Sequence, residues 1–342
     1  MTAPAKLFYS LASIVIIGYL LSVGQSILVP FVIAVFFWYL INAMAHKITQ
    51  YTKIKYNYSK WLSILIIISL MSGFVNLTQN NVQSFMGQLP DYQKNVEHLF
   101  TTYVSALGLF ETDMVRDAIA NLKIGQLAGG IALALGNVTT MMVTILLYLV
   151  FLFLEQTTFT WKIKALFPNK TKHKKIEALL SDIGSSIESY VGLKTLASVI
   201  MGVLGYIVLI ILGVDHAIFW ALIFGVLNFI PYIGPVIGVV FPVLAALVQF
   251  ADFDNAIIIA ISFTLIAFLI GNIVEPKIFG KSLNLSPLVL MLSLSVWGSL
   301  WGIIGMILSV PLMVGIMIVL SHFDETRSYA LLMCEKEPEE KV

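Results

Sequence analysis

Residues 216–250 read HAIFWALIFGVLNFIPYIGPVIGVVFPVLAALVQF, a stretch without a single Asp, Glu, Lys or Arg that is broken at its centre by Asn228, Pro231, Gly234 and Pro235. Two apolar arms of about fifteen residues flank the break. As helices each would be about 22 Å long, against about 30 Å of hydrocarbon in a bilayer. An uncharged break is no ordinary solvated loop. The stretch predicts a helical hairpin that enters a membrane, turns at depth and leaves on the side it came from. Irregular backbone at that depth survives only where protein buries it or a wet cavity solvates it, so the break is a candidate solute site.

The rest of the chain fits this reading. Its 342 residues are 59% hydrophobic and 11% charged, less than half the charge of an ordinary soluble domain. A polytopic, all-α membrane protein is the fold class that follows. The net charge of +1 disfavours a nucleic-acid partner, and the one cysteine, Cys334, leaves no disulfide framework. Full spans are predicted at 7–23, 27–44, 61–77, 130–154, 191–212 and 255–274. The first runs into the second through Gly24, Gln25 and Ser26 without a small-residue cleavage site, so it reads as a span rather than a removable signal. The apolar block 285–320 is too long for one span and is interrupted by Gly298, Gly302 and Gly305, which predicts a second hairpin with arms at 287–296 and 303–320. The expected plan is six full spans plus two re-entrant hairpins, 216–250 and 285–320.

Two segments lie outside the spans. Residues 80–127 hold five acids against three bases, with Val96, Leu99, Phe100, Tyr103, Val104 and Leu107 at helical spacing, and predict two or three amphipathic helices. Residues 155–190 carry Lys162, Lys164, Lys170, Lys172, Lys174 and Lys175, with an apolar face that includes Ile176, Leu180 and Ile187. The expected organisation is a three-span bundle at 1–79, the extracytoplasmic segment 80–127, a fourth span and cytoplasmic helix at 128–190, a transport core at 191–321 and a loose cytoplasmic tail at 322–342. An N-terminus inside the cell leaves only Lys94, Arg116 and Lys123 outside among the twenty Lys and Arg, a strong positive-inside bias. The two hairpins then open to opposite faces, a transporter-like plan.

Candidate functional residues cluster twice. Asn228 precedes Pro231, whose missing N–H frees carbonyls upstream, and Pro235 suits the first turn of the second arm. With Tyr232 and Gly234 between them, a partly negative helix C-terminus meets a partly positive N-terminus, where an uncharged polyol or small anion could bind. A plain kinked hairpin capped by Asn228 accounts for the same residues. The second cluster is Asn272, Glu275, Pro276 and Lys277, followed by Lys281. Glu275 with Lys277 reads either as a proton- or cation-coupled switch or as an interfacial ion pair. Lys194, one turn into the fifth span, reads most simply as a snorkelling lysine. Asp215, His216, Asp252 and Asp254 read as solvated boundary residues. No P-loop, HExxH, Cys/His cluster or G-x-S-x-G is present, so the chain reads as neither an ATPase nor an intramembrane enzyme and calls for no cofactor or metal.

YVGLKTLASVIMGVL (190–204), ILGVDHAIFWALIFGVLNFIPYIGPVIG (211–238) and GNIVEPKIFGKSLNLSPLVLMLSLSVWGSLWGIIGMILSVPL (271–312) resemble the autoinducer-2 exporter family, in particular the branch with Lys-Thr heading the fifth span and Asn before Ile-Pro. The matching positions are Asn228, Pro231, Gly234, Asn272, Glu275, Pro276, Gly280, Pro287 and Pro311. The resemblance implies a multi-pass protein of the bacterial inner membrane, a homo-oligomer that moves a small solute outward. In the best-known branch that solute is the quorum-sensing signal autoinducer-2; other members are linked to sodium or lithium export against protons. Solute export is thus the leading expectation. A Na+(Li+)/H+ antiporter using Glu275 and a non-transporting scaffold built on 80–127 and 155–190 are the alternatives.

Overall fold

The computed structural model describes residues 3–99, 102, 124–279 and 284–336. Eleven helices follow in order among them: α1 (Ala3–Val23), α2 (Gln25–Thr52), α3 (Tyr56–Leu99), α4 (Ile124–Leu166), α5 (Lys170–Ile211), α6 (Ala217–Leu227), α7 (Ile233–Phe250), α8 (Phe253–Leu269), α9 (Glu275–Phe279), α10 (Pro287–Ser321) and α11 (Arg327–Met333). A five-residue π-helical turn, Ile270–Val274, joins α8 to α9. Among the described residues seven helical stretches are long and apolar enough to cross a membrane. Their outward faces are apolar too: Val199, Val203, Ile207, Ile257, Ile261 and Leu265 are all exposed. A helix surface of that kind has lipid as its solvent. The protein is an all-α polytopic membrane protein.

The chain forms two compact units. One comprises Met1–Ile64, Met141–Leu193 and Phe279–Val342; the other comprises Leu65–Thr140 and Lys194–Ile278. The first unit is built around Val29, Trp297, Trp301 and Leu308, with Leu21, Phe36 and Leu312 packed on them. The rings of Trp297 and Trp301 pack at a tilt of 49° with centroids 4.9 Å apart, and the Trp301 indole N–H donates to the Leu21 carbonyl at 3.0 Å. In the second unit Met201, Phe224, Ile259 and Phe263 are fully buried, and the rings of Phe224 and Phe263 lie 4.4 Å apart. Lipid offers helices no hydrophobic drive to associate, so close packing carries much of this contact.

Both predicted breaks fold back on themselves. In the second unit a methyl at Gly234 would stand 1.8 Å from the Leu227 carbonyl oxygen, and one at Gly238 would stand 2.8 Å from the Phe224 ring. In the first unit a methyl at Gly305 would meet the Trp297 carbonyl at 1.9 Å, and the Ser293 hydroxyl donates to the Ser309 carbonyl at 3.0 Å. Each is an antiparallel hairpin closed by glycine. The arms of the first are unequal, 11 residues in α6 and 18 in α7, rather than near fifteen each. The longer α7 is therefore able to span by length and composition. In α10 the interruption is confined to Gly302 (φ 63°, ψ −144°), so the first arm continues past Val296 to Trp301.

Two further expectations need correction. The apolar periodicity beyond residue 80 does not begin a new helix: α3 continues from Tyr56 to Leu99 through Pro90. The remainder of the 80–127 prediction, apart from the start of α4, falls mostly outside the described residues. The tail after Ser321 is not loose through its described part. α11 forms there, Leu285 and Cys334 pair in an antiparallel bridge, and Asn284 accepts from the Lys336 backbone N–H while its own amide donates to the Lys336 carbonyl, each at 2.9 Å.

Candidate functional site

The second unit holds a buried polar cluster whose position follows from glycine. On α5, Lys194, Ser198 and Gly202 recur at i, i+4 and i+8, hence on one face. On α6, Ala221, Gly225 and Asn228 form the facing row. A methyl at Gly225 would stand 2.8 Å from the Ser198 carbonyl, and one at Gly202 would stand 3.2 Å from the Ala221 carbonyl. Only glycine permits so close a crossing, the small-residue contact expected between membrane helices. The antiparallel register sets Asn228 opposite Ser198 and Lys194. Asn228 donates through Nδ2 to Ser198 Oγ at 3.2 Å, and its Oδ1 accepts from Lys194 Nζ at 3.5 Å.

Glu275 completes the cluster. Its Oε1 lies 2.5 Å from Lys194 Nζ and accepts from Asn228 Nδ2 at 3.2 Å. The π turn explains how it gets there. Ile259 and Phe263 of α8 and Ile270, which opens the π turn, form one buried stripe. In a regular α-helix residue 273 or 274 would lie below Ile270. The wider turn bonds the Glu275 N–H to the Ile270 carbonyl, so Glu275 occupies that place instead. Pro276 supplies a physical cause, since a helical proline drives its ring toward the carbonyl four residues earlier, here Asn272. Such bulges recur at functional positions.

Lys194 is 6% exposed, Ser198 6% and Asn228 2%, while the Glu275 side chain is 18% exposed. The snorkelling expected of Lys194 is not found: its ammonium is held inside by an opposite charge. Removing one member of such a pair leaves an uncompensated buried charge, at about 3–5 kcal/mol. Beside the cluster, Thr195 buries its hydroxyl oxygen with no hydrogen-bond partner among the described residues.

The other expected residues are placed as follows. Pro231 and Tyr232 form the tip of the α6–α7 hairpin. The Ile233 N–H donates to the Pro231 carbonyl at 2.6 Å across Tyr232, whose φ of 60° and ψ of −51° make a γ-turn of the rare, strained sense. The Tyr232 side chain is 55% exposed. Gly234 is buried against Leu227, so its role is closing the hairpin, and Pro235 lies in the first turn of α7. Asn272 is not brought to Asn228; it is exposed and donates to the Phe268 carbonyl of its own helix at 3.1 Å. Pro276 and Lys277 are exposed as well, and the partner of Glu275 is Lys194 rather than Lys277. Gly280 and Lys281 lie outside the described residues. Ser198 was missed, although its spacing between Lys194 and Gly202 was a signal that could have found it.

A second polar knot occupies the other end of this unit, about 26 Å from Lys194 at the α-helical rise along α5. His216 is not simply solvated: its ring nitrogens lie 2.8 Å from Asn81 Oδ1 and 3.2 Å from Gln88 Oε1. Asn95 donates to the Val248 and Gln249 carbonyls, both at 3.0 Å, so a side chain of α3 caps the end of α7. Gln249 in turn accepts from the Asp215 N–H and donates to the Gly213 carbonyl. Burial, with the Asp215 charge nearby, pushes the Tyr92 phenol up. Asp252 caps α8 by accepting from the Asp254 N–H. Among the described residues no three His, Cys, Asp or Glu side chains are grouped to hold a metal ion.

Comparison with known proteins agrees with this architecture. The model of the AI-2E family transporters matches residues 11–325. A putative transport protein of Haemophilus influenzae is 28% identical over 96% of this chain and 95% of its own length. The AI-2 transport protein TqsA of Escherichia coli is 28% identical over 96% of both chains. The putative transport protein YrrI of Bacillus subtilis is 29% identical over 89% of this chain and 88% of its own. The chain belongs to the AI-2E transporter family.

Proposed function

We propose, with that membership as the premise, that the protein is a secondary exporter of a small polar organic solute of the autoinducer-2 kind, acting as a homo-oligomer in a bacterial inner membrane with both termini in the cytoplasm. In this reading the hairpins 216–250 and 285–320 are re-entrant and open to opposite faces. The solute passes the broken backbone from Asn228 to Pro235, and the Lys194–Glu275–Asn228 cluster is the switch that couples this break to the end of α8. The observation that carries the proposal is a buried ion pair hydrogen-bonded to the residue that ends a helix at an apolar break. Ionisable side chains in spanning helices are expensive and mark solute or ion paths. The AI-2 transport protein TqsA, similar along nearly its whole length, supports the choice of solute. Thr195, with its unpaired buried hydroxyl, adds a group that a polar solute could satisfy.

The test is export of labelled autoinducer-2 in inverted vesicles. Asn228→Leu and Pro231→Ala are expected to reduce flux at least tenfold with the protein still folded and inserted. Unchanged flux in both would refute the assigned path. One observation favours a second reading, Na+(Li+)/H+ exchange. Lys194 Nζ sits between Glu275 Oε1 and Asn228 Oδ1, where a small cation could replace it as the ammonium gives up a proton. Sodium-driven proton movement in proteoliposomes, lost in Glu275→Gln, with no autoinducer-2 flux, would select that reading.

A further inference from the structure

We propose that the acidic residues 337–340, which follow the described part of the tail, dock on the lysine-rich elbow between α4 and α5 of the same chain, whichever solute the protein carries. α4 ends at Leu166 and α5 begins at Lys170. Asn169 fixes the turn between them, its Oδ1 accepting from the Thr171 N–H at 2.9 Å. The apolar part of α5 begins only near Tyr190, about 30 Å along the helix from Lys170. Water rather than lipid therefore surrounds the elbow. Between residues 155 and 177 six lysines stand against Glu155 and Glu177. Both acids are engaged, Glu155 by Lys162 and Glu177 by His173 at 3.8 Å. Lys164, Lys170, Lys172 and Lys174 are exposed and form no ion pair among the described residues.

The tail carries the complementary charge and already touches this arm at its root. Among residues 322–340 six acids stand against Arg327 and Lys336. His322 Nε2 lies 3.4 Å from Asp182 of α5, and Lys175 Nζ stands 5.6 Å from the centre of the Phe323 ring. From there the tail crosses from one foot of the α10 hairpin to the other. The Thr326 hydroxyl donates to the Leu320 carbonyl at 2.8 Å, and the Ser286 N–H donates to the Met333 carbonyl at 2.9 Å. The Glu335 N–H donates to the Asn284 carbonyl at 3.1 Å, so the point from which the next residues leave is fixed beside the start of α10.

Reach and charge select the occupant. Packed antiparallel helices lie about 8–10 Å apart, which sets the scale of the separation between the two feet of the hairpin. Residues 337–340 read EPEE, and four extended residues reach about 13 Å. Lys174, Lys172 and Lys170 lie about 12 to 18 Å from Asp182 along α5. One exposed ion pair holds little by itself. Here three tethered acids face four lysines, and a short tether keeps them at an effective concentration in the millimolar range. A clasp made only of exposed charges is also screened by salt, whose Debye length is about 3 Å at 1 M.

The test is zero-length carbodiimide coupling of the full chain in detergent, with the linked peptides read by mass spectrometry. Amide links from Lys164, Lys170, Lys172 or Lys174 to Glu337, Glu339 or Glu340 are expected at low salt, with a yield at least about tenfold lower in about 1 M sodium chloride. The E337K/E339K/E340K variant should lose the links. Adding K164E/K170E/K172E/K174E to it should restore them with the polarity reversed, a recovery that a misfolded chain does not give. Cells making the K164Q/K170Q/K172Q/K174Q chain together with the E337Q/E339Q/E340Q chain report links between copies alone. Links there at the parent's yield overturn docking within one chain. The proposal also fails if the parent shows no links or a yield indifferent to salt, or if the charge-swapped variant stays unlinked while its thermal unfolding matches the parent's.

Discussion

The two hairpins solve the same backbone problem with different chemistry. In each, a glycine admits the opposite arm's carbonyl to within a distance that no side chain allows, Gly234 against Leu227 and Gly305 against Trp297. The hairpin in α10 is then sealed: Ser293 donates across to the Ser309 carbonyl, the tip is surrounded by Trp297 and Trp301, and neither arm carries a titratable side chain. The α6–α7 hairpin is left chemically open. Its first arm ends on Asn228, hydrogen-bonded to a half-buried carboxylate, and its tip bears an exposed tyrosine in a strained turn. Shared geometry speaks to folding; the difference speaks to function.

The largest effect should come from breaking the ion pair. Glu275→Gln leaves Lys194 buried without a counter-charge, and we expect a loss of about 3–5 kcal/mol together with transport. The double variant Lys194→Met/Glu275→Leu removes both charges and should recover most of the stability while remaining inactive. Thermal unfolding in detergent beside vesicle flux separates the two outcomes. If the double variant transports, the cluster is a structural pin and the two hairpins differ less than their side chains suggest.

Next come the closing glycines. Gly234→Ala and Gly305→Ala each push a methyl into a carbonyl, so one arm must shift, at a cost of about 1–3 kcal/mol. Because the geometry is shared, the two losses should be of similar size. A Gly305 variant as stable as the parent would show that the α10 hairpin can open freely.

These expectations also mark how far the sequence could be read. Both breaks were legible because Pro and Gly inside an uncharged apolar run interrupt a helix that nothing else there would end. The unequal arms were not, since nothing in the residues before Asn228 announces where α6 begins. The ion pair was hidden for a different reason. Lys194 and Glu275 are 81 positions apart, and Lys277 stood nearer as a decoy. Deciding between them required the π turn that rotates Glu275, and a single proline, Pro276, was its only trace. The snorkelling default for Lys194 failed because Gly202 and Gly225 draw α6 close enough to bury it. The fixed tail was invisible because its ties are hydrogen bonds to its own backbone, made by the Asn284 side chain and by the main chain of Asn284 and Ser286, which leave no pattern in hydropathy.

A smaller effect sharpens the sealed half of the comparison. Ser293→Ala deletes one buried hydrogen bond in α10, and we expect about 1 kcal/mol of destabilisation with flux per folded molecule unchanged. Flux that falls tenfold while stability moves by so little would give the α10 hairpin a share in the solute path.

The one expected gain in stability is the most telling. Gly302, at the α10 tip, has φ 63°, and glycine tolerates that without strain. Tyr232, at the α6–α7 tip, has φ 60° and carries a full side chain there. A non-glycine residue held in so unfavourable a conformation costs on the order of 1–3 kcal/mol. Tyr232→Gly removes that strain but adds about 0.5–1 kcal/mol of backbone entropy lost on folding. The net should be a stabilisation of roughly 1 kcal/mol, small and opposite in sign to the losses expected at Glu275, the closing glycines and Ser293. Were the tip merely a connection, glycine would serve better there, as it does in α10. A tyrosine retained against that gradient needs its side chain, and with 55% of it exposed the side chain is free to meet a solute. Tyr232→Gly should therefore be slightly more stable and markedly slower, with Tyr232→Phe separating the hydroxyl from the ring. A variant both more stable and fully active would reduce this tip to the same role as Gly302, and the contrast between the hairpins would then rest on the ion pair alone.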